Sequence, residues 1–183
     1  MTLTFNPAPN PTPTPFYLPG YGQNVIYMGT QSFPDGWKGS ARVYLSNGNI
    51  VAGIHHVTGN NIETLGYHGI KNGETTLYLP YVRNHPSGET NWIASTNVMN
   101  LGTTSTNITV YYYNEAGEQI HSYSFSLAAG ASEDLINTND QGSEMPYSFS
   151  GSAMIVSNSS NKLVAGVHLA DTTNGNHHGY SVP

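Results

Sequence analysis

The sequence predicts an all-β protein built from two tandem copies of one β-sandwich repeat, the first missing its opening strand. Three observations predict it: self-similarity at a spacing of about 110 residues, short runs of alternating apolar and polar residues separated by Gly, Asn and Ser, and no segment with helical periodicity.

The repeat is carried by long matching segments. Phe33 to Gly53 reads FPDGWKGSARVYLSNGNIVAG and Met145 to Gly166 reads MPYSFSGSAMIVSNSSNKLVAG, sharing Gly-Ser-Ala at 39 and 151 and Val-Ala-Gly at 51 and 164. AGIHH then matches AGVHL, and Gly66-Tyr67 returns as Gly179-Tyr180. Backwards, Phe16 to Gly20 is similar to Phe125 to Gly130, and Met1 to Phe5 to Ile108 to Tyr112. The second copy is nearly complete from Leu77 onward, whereas the first has no counterpart of Tyr78 to Asn107. The predicted organisation is an N-terminal strand and Pro-rich tether over 1–15, an incomplete sandwich over 16–77 and a second sandwich over 78–183.

Within the second copy, Asn91 to Leu101 and Asn107 to Tyr113 are rich in β-branched and aromatic residues and read as strands. Ile108, Val110 and Tyr112 share one face of the latter. Glu115 to Glu118 supplies a hairpin turn, and Gln119 to Leu127 alternates His, Tyr, Phe and Leu with Ser. A short strand follows around Leu135, then Gly151 to Ser157 and Lys162 to Leu169 joined by the polar turn 158–161, and the unit closes near His178 to Val182. Seven strands at this spacing imply a sandwich. A single barrel or jelly roll is the competing architecture, and the offset repeat argues against it.

Composition narrows the function. Charged residues make up 9% of the chain, while Thr, Ser, Asn, Gly and Tyr are abundant, a balance expected of a secreted or cell-surface β protein. The five cations, Lys38, Arg42, Lys71, Arg83 and Lys162, are scattered and build no basic patch, so nucleic acid is a poor partner. No run approaches the ~18 apolar residues of a membrane span, and the N-terminus has no charged segment followed by an apolar one. The absence of cysteine excludes disulfides, thiolate metal sites and cysteine nucleophiles.

Certain motifs carry a resemblance: Asn97-Val-Met-Asn-Leu-Gly, Thr106-Asn-Ile-Thr-Val-Tyr-Tyr-Tyr-Asn-Glu-Ala-Gly, Ser126-Leu-Ala-Ala-Gly-Ala-Ser, Phe149-Ser-Gly-Ser-Ala and Leu79-Pro80-Tyr81-Val82. The chain resembles the immunoglobulin-like repeats of bacterial surface proteins, including cell-adhesion-related domains and the tandem LPYV repeats of Chloroflexi-type secreted proteins. The resemblance implies surface exposure and an adhesive or scaffolding role, and it transfers no catalytic residue.

A sandwich without its opening strand exposes an edge of unpaired N–H and C=O groups beside an open apolar slot, and unpaired buried polar groups cost about 1–3 kcal/mol each. Met1 to Phe5, with Met1, Leu3 and Phe5 on one face, is a candidate assembly strand, tethered by Asn6 to Pro15, whose prolines favour polyproline II. Ten such residues span on the order of 30 Å, enough to reach a neighbour. In the repeat register the same strand is equally the second strand of copy one, in which case the neighbour donates the first. Either arrangement gives a head-to-tail homopolymer, and the expected function is that of a structural subunit of an extracellular filament or surface assembly. The alternative is an adhesin fragment or a carbohydrate-binding module that meets glycans or a host surface, with Trp37 and Trp92 as stacking residues and Tyr111 and Tyr113 as further platforms.

No catalytic, metal or cofactor site is expected. His55 and His56 are adjacent on a strand and diverge, and His55 matches His168 in the repeat. His177, His178 and Asp171 form the least unfavourable metal cluster. Glu133 and Asp134 are likewise adjacent and divergent, and no Gly-x-Ser-x-Gly elbow occurs. Asn137 to Glu144 resembles a calcium loop only loosely, lacking alternating acidic residues. Asn107 and Asn158 head N-glycosylation sequons, and Thr12 and Thr14 between prolines are candidate O-glycosylation sites.

Overall fold

The computed structural model describes residues 2–6, 17–20, 23, 40–47, 52–57, 64–84, 92–136, 144–146, 148–171 and 173–183. The protein is all-β, with no helix among the described residues. By compactness it divides into Met1–Ala52 and Gly53–Pro183. The division falls inside the first repeat as the sequence delimits it.

In the first unit, β1 (Thr2–Asn6) pairs antiparallel with β2 (Ser40–Tyr44). The second unit holds the hairpin β3 (Gly53–Val57) and β4 (Thr64–His68), followed by eight strands: β5 (Thr76–Asn84), β6 (Trp92–Asn100), β7 (Thr106–Asn114), β8 (Gln119–Leu127), β9 (Ser132–Ile136), β10 (Phe149–Ser157), β11 (Leu163–Asp171) and β12 (His177–Val182). These eight form one antiparallel ladder in the order β12-β11-β6-β5-β10-β7-β8, with β9 also on β6. Strands β5 and β6 meet at a single pair, Asn84 and Ile93, and there the ladder folds over. The result is a β-sandwich of two four-stranded layers, β9-β6-β11-β12 and β5-β10-β7-β8.

Period-two alternation builds the core between them. Every second residue of β11, from Leu163 through Ala165, Val167 and Leu169, is buried, and so are Ile108, Val110 and Tyr112 of β7. They join Leu77, Leu79 and Val82 of β5 and Ala153 and Ile155 of β10 in one apolar cluster. Seven strands follow the sequence expectation; β5 is an eighth, which Pro80 hid because proline argues against a central strand. The proline is accommodated at a β-bulge: Leu79 and Val82 face Ala153 and Gly151, so Pro80 and Tyr81 both stand opposite Ser152 and both turn outward.

A buried amide gathers one end of the sandwich. Asn100 is fully buried, and its Nδ2 donates to the carbonyls of Thr104, Leu127 and Ala128 at 2.9, 3.2 and 3.1 Å, while its Oδ1 accepts the Gly102 N–H at 2.8 Å. Next to it, Leu101 N–H donates to the Lys162 carbonyl. At the entry to β5, Glu74 exchanges both backbone hydrogen bonds with Leu163. That approach needs glycine at Gly73, where a Cβ would sit 2.2 Å from the Leu163 carbonyl oxygen.

Two predictions follow from this packing. Asn100→Ala removes four hydrogen bonds, leaves the buried Leu127 carbonyl without this donor, and should lower the unfolding free energy by about 3 kcal/mol, read from urea denaturation. Burial, with the Glu144 carboxylate adding to it, pushes the Tyr112 phenol well above its usual value. The folded state therefore disfavours the phenolate: Tyr112 contributes full stability below the ordinary tyrosine value of ~10, and that contribution drains away as pH rises above it. Tyr112→Phe should reduce the alkaline loss of stability in thermal melts between neutral and high pH.

Candidate functional site

The first repeat reproduces strand pairs of the second in register. In β1–β2, Leu3 faces Val43 and Phe5 faces Ala41; in β7–β10, their repeat equivalents Val110 and Tyr112 face Ile155 and Ala153. In β3–β4, Ile54 faces Tyr67 and His55 faces Gly66; in β11–β12, Val167 faces Tyr180 and His168 faces Gly179. Thr2 to Phe5 thus stands in the place that β7 takes in the second copy, one of the two positions the sequence leaves open for this segment, and it is paired within its own chain. Met1 itself lies outside the described residues.

The copies differ in what flanks those pairs. In the second, β11 is covered along its whole length by β6, from Leu163–Asn100 to Asp171–Trp92, and β10 by β5. For β3, the equivalent of β11, the described residues contain no strand in the place of β6. At the other end of the order, β8 is a nine-residue strand without Lys, Arg, Asp, Glu or Pro, its Ser122, Ser124 and Ser126 exposed and its Tyr123 and Phe125 half-buried and stacked on each other at 5.6 Å.

The three residues of the metal cluster serve three separate tasks. His177 Nδ1 lies 2.7 Å from His168 Nε2, with the rings stacked. His178 stacks on Trp92 at 5.2 Å. The Asp171 carboxylate accepts the backbone N–H groups of Thr173 and Asn174 and the Asn174 amide, closing the β11–β12 turn. Among the described residues no group of three His, Asp or Glu is placed to hold a metal ion. Sequence reasoning grouped His177 with His178 and Asp171 and matched His168 to His55, without joining His168 to His177; pairing the two strands across their turn brings the two histidines together diagonally, since Ala170 faces His177 and His168 faces Gly179.

Asp134 of β9 accepts a hydrogen bond from Ser95 of β6, whose strand partner on the other side is His168. Its neighbour Glu133 is exposed. Asn158 is exposed in the β10–β11 turn, its amide 3.4 Å from the Thr109 hydroxyl, and Asn107 is exposed within β7, opposite Ser126. Trp92 is half-buried against the core, while Tyr111 and Tyr113 lie on the outer face of β7. Thr12, Thr14, Trp37 and most of 137–144 lie outside the described residues.

The fold and these residues define an all-β protein with a β-sandwich. No protein-family model matches the chain, and no curated protein matches it. Among solved structures it is similar to the Anabaena sensory rhodopsin transducer, at 16% identity and a TM-score of 0.42 over 53% of this chain and 97% of that one. It is also similar to Thermotoga maritima 1070, at 17% identity and a TM-score of 0.48 over 62% of this chain and 96% of that one. Both similarities are weak, and neither says what this chain binds or does.

The hydrogen bonds from Asn174 and Thr173 hold the Asp171 carboxyl below its usual range. Their contribution is present above the ordinary aspartate value of ~3.9 and is lost as pH falls through the lower folded-state value. An NMR titration should place the Asp171 midpoint below that of a free aspartate, with amide protection at 173 and 174 lost in the same acid step.

Proposed function

We propose that this protein is a non-enzymatic structural subunit of an extracellular or surface assembly, made of two immunoglobulin-like repeats and joined to copies of itself by β-strand exchange. One observation carries the reading: the first repeat keeps the strand register of the second, yet β3 has no partner in the place of β6 among the described residues. An edge left in that state presents a row of donors and acceptors that a strand of another copy satisfies.

The chain's own β5 and β6 are engaged within its second sandwich, so donating them would open the donor. Exchange confined to strands of the first repeats of two copies leaves both second sandwiches closed. A second contact through the uncharged β8 edge would extend such pairs into a filament. The low charge and the abundance of Thr, Ser and Asn support the surface setting.

Negative-stain electron microscopy with light scattering on the intact chain tests this: regular oligomers or filaments are expected at micromolar concentration, and a monomer throughout that range overturns it. Because the chain has no cysteine, His55→Cys reports the contact directly. Intermolecular disulfide-linked dimers are expected on mild oxidation, and their absence overturns pairing through β3.

A further inference from the structure

The Leu79-Pro80-Tyr81-Val82 bulge builds a groove on the outer face of the β5-β10-β7-β8 layer. Its floor is Ser150, Gly151 and Ser152 of β10. One side is the outward pair Pro80 and Tyr81, and the other is the β7–β8 turn with Asn114, Glu115 and Gly117, bounding an open depression of about 350 Å³. Gly151 faces the core side of the strand, where a Cβ would meet the Tyr113 carbonyl oxygen at 2.0 Å and the Phe149 ring at 2.9 Å, so β10 can lie close against β7 beneath the groove. Ser150 Oγ donates to Glu115 Oε1 at 3.3 Å across the floor.

The same face continues into an aromatic row. Tyr78 faces Met154, and Met154 faces Tyr111, so the three lie side by side across three strands. Tyr78 is 68% exposed and Tyr81 42%. Arg83, which donates to the Tyr81 hydroxyl at 3.4 Å, is the one charged residue among the outward positions of these four strands.

We propose that this groove and the tyrosine row beside it bind a neutral saccharide chain, a site independent of the assembly contact. Exposed tyrosine rings offer flat apolar faces for pyranose rings, and the absence of a cationic cluster disfavours phosphate or sulfate. Hydrogen bonding selects among uncharged ligands. One N–H of the Asn114 amide is taken by Glu118 Oε2, and its oxygen accepts the Ala116 and Glu118 N–H groups. What the groove presents is the Glu115 carboxylate, which only accepts, beside serine hydroxyls and an Asn114 N–H, a set matched by ligand hydroxyls that both donate and accept. Sugar hydroxyls donate to such groups, whereas a proline-rich peptide offers chiefly carbonyl acceptors and meets the carboxylate unfavourably.

Co-sedimentation of the intact protein with insoluble cellulose, chitin, xylan and mannan, followed by calorimetry with the matching soluble hexasaccharide, tests the site. Retention by at least one polymer is expected, weakened about tenfold by Tyr81→Ala and by Tyr78→Ala, and weakened by Glu115→Gln, all with unchanged circular dichroism. Failure to bind any of the four polymers overturns the proposal. So does binding that survives both tyrosine substitutions in folded protein, or Tyr81-dependent binding of a synthetic peptide of residues 6–15 with no saccharide bound.

Discussion

The side-chain amide of Asn100 holds together one end of the sandwich. The strands of the two layers share almost no backbone ladder, so their ends must be tied by other means. Asn100 ends β6 and reaches the turn before β7 and the close of β8, while the adjoining backbone reaches the β10–β11 turn and, through Ala131, the approach to β9. Five strands thus take their positions from one short segment. At the opposite end the ties are the Asn84–Ile93 pair and Asn84 Nδ2 on the Pro146 carbonyl. Between these ends the core needs only apolar alternation, supplied by residues such as Val110 and Val167.

Much of the second sandwich was legible in the sequence because alternation and burial coincide there. From β6 to β12, the runs rich in Val, Ile and Tyr became strands where expected, and the polar turns at 115–118 and 158–161 became the connections. Strand β5 was not legible, because its Pro80 breaks the alternation at the point where a bulge absorbs it. The groove was beyond sequence reasoning for another reason: its parts come from 80–81, 114–117 and 150–152, which are brought together only by the pairing of β10 with both neighbours. Likewise, the partner of His177 lies nine residues back, across a turn whose length decides which residues meet.

The repeat gives the chain an approximate internal symmetry. Strands β4 and β12 occupy equivalent places in the two copies and pack against one another, Tyr67 and Tyr180 having the same register in each. In the second copy Tyr180 reaches across the layers and its hydroxyl donates to the Tyr81 carbonyl, while burial raises its phenol to about 12. Two strands in equivalent register thus meet inside one chain.

The bulge in β5 also acts like a shift of reading frame. Before it, odd-numbered residues Leu77 and Leu79 face the core; after it, even-numbered Val82 and Asn84 do. The extra residue therefore sets the phase of everything downstream, including the Asn84 corner where the ladder folds. Losing either Pro80 or Tyr81 would leave one residue opposite Ser152 and restore simple alternation, with Val82 still facing Gly151 and Asn84 still inward, so the core register would survive while the outward pair would not. Substitutions at this pair change the chemistry of the outer face, whereas deleting one of the two would remove the bulge itself and leave the inner face unchanged.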